Sequence, residues 1–198
     1  MSDKSIKQTA LIEEFLGLYP EIDETAYIAG SAVVSGAVRI GADSSIWHNV
    51  TLRGDGNYIT IGAGTNIQDN SCVHIDSANY PTIIGNHVTI GHSAIIHACE
   101  LQDSCFVGMG AIVMDGAVVE EKAMVAAGAM VTPNKRVPSG ELWAGRPAKK
   151  MRDLTDDEIK NLTLSAERYI EFGRAYRLGK AGGPYKHLNP RPLPQGDG

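Results

Sequence analysis

Six histidines are present, His48, His74, His87, His92, His97 and His187, and five of them fall between residues 48 and 97. The same stretch holds Arg53, Asp55, Gln68 and Asp69. Neutral imidazoles suit divalent transition metals. Three of them with one open position make the ligand set of a catalytic zinc site, whereas structural sites are closed by about four protein ligands. A metal held that way brings the pKa of a bound water to about 7. A histidine can also act alone as a general base. Which chemistry is available depends on what brings residues as far apart as His74 and His97 together.

The positioning element is a repeat. An aliphatic residue returns every six positions through Ile28, Val34, Ile40, Ile46 and Leu52. After three extra residues come Ile61, Ile67 and Val73, and after five more come Ile84, Ile90 and Ile96. One residue early, the series resumes with Leu101, Val107, Val113, Val119, Val125, Val131 and Val137. The residue after the aliphatic is often glycine (Gly41, Gly62, Gly85, Gly91, Gly108). The fourth after it is small, as at Thr65, Ser71, Ala94, Cys105, Ala111, Ala117, Ala123 and Ala129. A period of six matches neither the helix nor a lone alternating strand. It fits a short strand followed by a turn, with the aliphatic always inward, which is the pattern of a parallel β-helix. With three strand–turn units per coil, these 18 units predict a triangular prism of about six coils, stacked at about 4.8 Å.

Counting faces from Ile28 places Leu52, Val73 and Ile96 on one face, so that Arg53, His74 and His97 form an outward column. Ile46, Ile67 and Ile90 share another face, and His48, Asp69 and His92 form a second column with Gln68 beside it. His74 and His97, one coil apart, can converge on one metal. His92 lies around a corner from His97, so one chain closes a three-histidine site poorly. Two prisms packed face to face could complete it, with His74 and His97 from one and His92 from the next. A cyclic interface closing at three copies would give three such sites.

Lysine plus arginine number 18 and aspartate plus glutamate 23, a net charge of −5. With no basic cluster, this weighs against a nucleic-acid or membrane surface, and no apolar run nears the roughly 20 residues of a bilayer span. Residues 1–5 lack the apolar core of a signal peptide. Three cysteines, Cys72, Cys99 and Cys105, are an odd number that fits a reducing, cytoplasmic compartment, and they read as packing residues. The chain divides into a lead-in (1–27), the β-helix (28–143), an exit turn with a C-terminal helix (144–178) and a Gly/Pro-rich, flexible tail (179–198). Ile6, Leu11, Ile12, Phe15 and Leu16 predict a weak helix or lead-in over 6–18. Thr155-Asp156-Asp157-Glu158 is a capping box, and Ile159, Leu162, Ala166, Tyr169 and Ile170 share one face of the helix it opens.

The six-residue period resembles the hexapeptide-repeat superfamily, which implies an all-β solenoid coiled as a left-handed parallel β-helix, against the usual crossover hand. Three stretches resemble, within it, the γ-class carbonic anhydrase-like proteins: Leu52-Arg53-Gly54-Asp55, Thr65-Asn66-Ile67-Gln68-Asp69, and Gly91-His92 ahead of His97. The resemblance implies a homotrimer with His74, His92 and His97 as metal ligands across each interface. Zinc is the metal it implies; iron(II) or cobalt(II) also suits imidazoles. It implies reversible hydration of carbon dioxide to bicarbonate by a metal-bound hydroxide. Gln68 would hydrogen-bond the bound water, and Arg53 would pair with Asp55 of its own chain and Asp69 of the neighbour. The stretch Leu164-Ser165-Ala166-Glu167-Arg168-Tyr169 implies that Tyr169 is directed toward the site. The proton shuttle departs from the best-known pattern. Gly56 stands where a carboxylate would follow Asp55, and the loop from Asp76 to Tyr80 has no glutamate, so Asp76 and His48 are the candidates.

Two other functions share this fold. An acyltransferase acting on acyl-CoA would need one histidine base rather than a triad, whereas in a thioesterase the metal hydroxide would attack a thioester instead of carbon dioxide. A metal-stabilised trimer could serve binding or assembly. His87 and His187 fall in no column and read as surface residues.

Overall fold

The structure, a computed structural model, describes residues 9–179. His187, Ile6 and the tail expected to be flexible beyond Gly179 lie outside the described residues. The inward aliphatics from Ile28 to Val137 occupy three sheet faces in rotation, and each strand pairs in parallel with its counterparts one coil away. Each face carries seven such strands, one coil more than the repeat predicts. The added strands, Leu11–Glu13, Glu21–Ile22 and Glu141–Ala144, pair with Val33–Ile40 and Met124–Val125. They point Ile12, Ile22 and Trp143 at the core; Ile22 lies six before Ile28 and Trp143 six after Val137, and only Ile12 breaks the six-residue step. Residues 9–18 therefore hold a strand and a tight Phe15–Leu18 bridge in place of the expected helix. Pairing with an existing sheet edge outweighs the weak helical pattern of so short a segment.

The core is a column of aliphatics. Ile46, Leu52, Ile67, Val73, Ile90 and Ile96 are all fully buried, at roughly 1.5–3 kcal/mol each. The small residue of each unit is buried as well, and where it is Thr65 or Ser71 its hydroxyl donates to the carbonyl of Gly85 or Gly91 one coil on. A third periodic position turns the corners. Asp43, Asn49, Asn70, Ser93, Ser104 and Asn134 each lie three residues past an inward aliphatic, with φ between 56° and 62°. Short polar side chains and glycine tolerate that left-handed conformation best. His87, with φ 53°, is one of these corner residues, which gives it a place in the turn rather than in a column. Gly91 is required for a different reason: a Cβ there would sit 2.7 Å from the Met109 amide of the next coil.

Each irregularity of the repeat has a structural counterpart. The three extra residues bulge from the strand Thr51–Ile61 where it passes the corner beside Val33–Ile40, and the same strand pairs with Cys72–His74 on one face and Thr82–Ile84 on the next. The five extra residues form a loop after the buried Ile75. The short step brings the corner forward to Ala98, φ 50°, immediately after His97.

Helix α1 (Asp156–Leu178) starts at the Thr155–Glu158 capping box and ends at left-handed Gly179. Arg152 grips Glu158 through two hydrogen bonds of 2.7 Å. The helix lies along the face of Ile28, Ile46, Ile67 and Ile90, its Leu162 is buried in a cluster with Leu142 and Leu154, and Arg174 forks onto Asp43 at 2.8 and 3.0 Å. Among the described residues no helix is long and apolar enough to cross a membrane.

Candidate metal centre

His74 and His97 end two paired strands, and the register sets them side by side. Their rings approach with His74 Nδ1 3.2 Å from His97 Nε2. Behind His74, Nε2 lies 2.9 Å from Asp55 Oδ1. Behind His97, Nδ1 lies 2.7 Å from Asp115 Oδ1. Ionised carboxylates only accept hydrogen bonds, so the nitrogens facing them carry the protons. The two inner nitrogens then present lone pairs to each other, an arrangement that calls for a cation or a shared proton between them. Two ligands of a tetrahedral zinc at 2.0–2.1 Å lie about 3.3–3.4 Å apart. The observed 3.2 Å separation fits that spacing.

His92 stands on the neighbouring face, with Nδ1 3.0 Å from Asp69 Oδ2. Among the described residues of one chain, no three metal-ligating side chains converge. The three histidines of the expected ligand set are the same three that face carboxylates among the described residues. His48 instead contacts the Ser31 hydroxyl at 3.3 Å and lies edge-on to Trp47.

Arg53 is half-exposed and pairs with Asp55. Burial raises the Asp55 carboxyl, but the hydrogen bonds from His74 and Arg53 and the guanidinium charge outweigh it, so it lies below its ordinary value. Gln68 is buried, and its Nε2 donates to Asn66 Oδ1 at 3.1 Å, which leaves its amide oxygen to accept. Asn66 in turn donates to Thr89 Oγ1 at 2.9 Å. Tyr169 packs edge-on to Trp47 over a cavity of about 310 Å³ that Asp69 and His48 also line. Burial and the nearby Asp69 charge raise its phenol. Tyr169 thus sits with the His48–Asp69–His92 column rather than with His74 and His97.

Asp76 accepts from the Asn79 and Ala78 amides at 2.7 and 3.1 Å. These bonds hold its carboxyl below the ordinary value, so at neutral pH it takes up a proton poorly. Cys99 and Cys105 are buried, and burial pushes both thiols up, which leaves them inert packing residues.

Sequence reasoning missed Asp115 and the Asn66–Thr89 support behind Gln68. The register sets Ile96 beside Val113, so Asp115 lies two past its aliphatic while His97 lies one past. The short step at Ala98 lets them meet. The signal available was an acidic residue at a corner one coil beyond a histidine.

No family model matches the chain. "Probable carbonic anhydrase" of Methanocaldococcus jannaschii is 49% identical over 151 residues, 76% of this chain and 94% of that protein. The chain belongs to the γ-class carbonic anhydrase-like family of hexapeptide-repeat proteins. "Gamma carbonic anhydrase 1, mitochondrial" of Arabidopsis thaliana is 52% identical over 167 residues, covering 82% of this chain; the match spans only 61% of the Arabidopsis protein's length. The crystal structure of a hexapeptide transferase family protein from Anaplasma phagocytophilum superposes with a TM-score of 0.81 at 53% identity, covering 84% of this chain and 98% of that one. The coil is therefore the left-handed parallel β-helix of the hexapeptide-repeat proteins.

Proposed function

We propose that this family member reversibly hydrates carbon dioxide to bicarbonate as a homotrimer. Its metal, zinc by ligand chemistry, would be shared between His74 and His97 of one copy and His92 of the next. One observation carries this reading: each of these imidazoles has a carboxylate behind one ring nitrogen, at 2.9, 2.7 and 3.0 Å. Such partners fix the tautomer and raise the basicity of metal-binding histidines. The names of the relatives agree with it.

His74, His97 and the neighbour's His92 would hold the cation, and the chemistry it would supply is a bound water with a pKa of about 7, as for zinc in carbonic anhydrase, and so hydroxide at neutral pH. Iron(II) or cobalt(II) would fit the same donors. In this reading Gln68, its Nε2 held by Asn66, offers its oxygen to the attacking water and aims the water's lone pair at carbon dioxide. Arg53, held by Asp55, reaches Asp69 of the neighbouring copy and fixes the register between protomers. Tyr169 and Trp47 cover Asp69 and limit water around it. Proton release falls to His48 or to solvent, because Asp76 is committed to its loop. The three free cysteines suit a reducing compartment such as the cytoplasm.

Stopped-flow carbon dioxide hydration on zinc-loaded protein tests this. His97→Ala should lower both metal content and hydration more than about 100-fold, beyond the roughly 10–100-fold expected when only an orienting partner is lost. Bound metal with no hydration above buffer in the wild type would contradict it. Acyl-CoA hydrolysis or transfer would be assayed next, and a binding or assembly role would follow if that failed too.

A further inference from the structure

We infer that Asp115 is a positioning residue of the metal centre: its carboxylate holds His97 in the Nδ1–H tautomer, so that Nε2 faces the metal. The inference rests on the metal-site reading above and adds a residue to it. Four side chains form one line, Asp55–His74–His97–Asp115, with contacts of 2.9, 3.2 and 2.7 Å. The two ends differ. Asp55 divides its charge between His74 and Arg53. Asp115 has no arginine or lysine; among the described residues its only ion-pair partner is His97. Its main-chain carbonyl accepts from the Asn134 amide at 2.9 Å, so the next coil pins the backbone that carries the carboxylate.

The proton inventory makes the role specific. If His97 carried its proton on Nε2, that hydrogen would point at His74 Nδ1, 3.2 Å away, and the lone pair on Nδ1 would face the Asp115 carboxylate at 2.7 Å. The second contact is repulsive, and the first removes a metal-facing lone pair. With a carboxylate at Asp115 and a cation or shared proton between the two rings, only the Nδ1–H form satisfies both ends. Asp115 comes from the strictly regular part of the solenoid, one coil beyond the histidines. It reaches the site because the corner at Ala98 directly follows His97.

The test uses the full-length protein. Metal-free wild type, Asp115→Ala and Asp115→Glu are compared by nitrogen-15 NMR of the His97 ring, and each is titrated with cobalt(II) against a chromophoric chelator. Asp103→Ala, at a corner on another face, serves as the control. The expected result is an Nδ1–H tautomer in the wild type that shifts toward Nε2–H in Asp115→Ala. Cobalt affinity should fall about 10–100-fold, recover largely in Asp115→Glu, and stay unchanged in Asp103→Ala. Circular dichroism reports whether the coil is intact. Wild-type tautomer and cobalt affinity in Asp115→Ala would overturn the inference alone. Failure of the wild type to bind cobalt through His97 would overturn the metal-site reading and this inference with it.

Discussion

The coils from Leu101 to Val137 and those from Thr51 to Ala98 are built on the same inward aliphatics, yet they depart from the repeat very differently. In the first region every step is six residues and the corners fall at Ser104, Gly110, Gly116, Lys122, Gly128 and Asn134. The second region holds a strand that runs through its corner, an inserted loop and a step one residue short. All three carboxylate-backed histidines lie in the second region. A regular coil repeats the same outward positions without bringing side chains from different corners together. Two of these irregularities bear on the histidines: the bulged strand sets Asp55 against His74, and the short step brings the corner at Ala98 directly after His97, which meets Asp115. The regular region supplies the rigid frame and a single site residue, Asp115.

Three measurements would break or sharpen this comparison. The largest effect is on stability and should be the same in both regions. Ile90 and Leu101 are fully buried, so Ile90→Ala and Leu101→Ala should each cost about 2–5 kcal/mol in urea unfolding. A negligible cost for Ile90→Ala would mean that the irregular coils are not part of the continuous core.

A smaller effect separates two uses of glycine. Gly110 is a corner residue with φ 65° and open space around it, so Gly110→Ala carries only the left-handed strain, about 1–2 kcal/mol. Gly91→Ala carries no left-handed strain but would set its Cβ 2.7 Å from the Met109 amide nitrogen, and should lower the melting temperature further. Equal losses would show that coil spacing relaxes freely around the added methyl group.

The smallest effect lies outside the coils. Hydrogen bonding from Arg152 and the Thr155 amide lowers the Glu158 carboxyl from 4.5 to about 2. A depressed folded-state value means that its contribution is present above pH 4.5 and is lost as the pH falls toward 2. Acid titration of helix content should therefore show a wild-type loss in that window that Glu158→Gln lacks. Identical acid profiles would assign no role to the pair.

Much of the frame was legible because the inward aliphatic recurs at a fixed interval, which sets the face of every unit and therefore the two columns. The end coils were only partly legible: Ile22 and Trp143 continue the six-residue step, six before Ile28 and six after Val137, while Ile12 lies ten residues before Ile22 and is held by pairing to a strand already in place. The corner positions hid for another reason: aspartate, asparagine, serine and glycine all satisfy the left-handed turn, so no single residue type repeats there. At the site, the histidine columns followed from counting. Asp115 did not, because its contact with His97 depends on where a corner falls, and a one-residue change in step length moves that corner.

The central claim is that each metal is held between two copies of the chain, and mixed trimers test it most directly. His92→Ala and His97→Ala proteins would be coexpressed in equal amounts and the trimers assayed for zinc and for carbon dioxide hydration. Each variant alone should be inactive. In a cyclic trimer every mixed assembly regains one intact site in three, so random assembly predicts recovery of about one quarter of wild-type zinc and activity. No recovery in verified mixed trimers would place all the ligands within one chain and contradict the shared site.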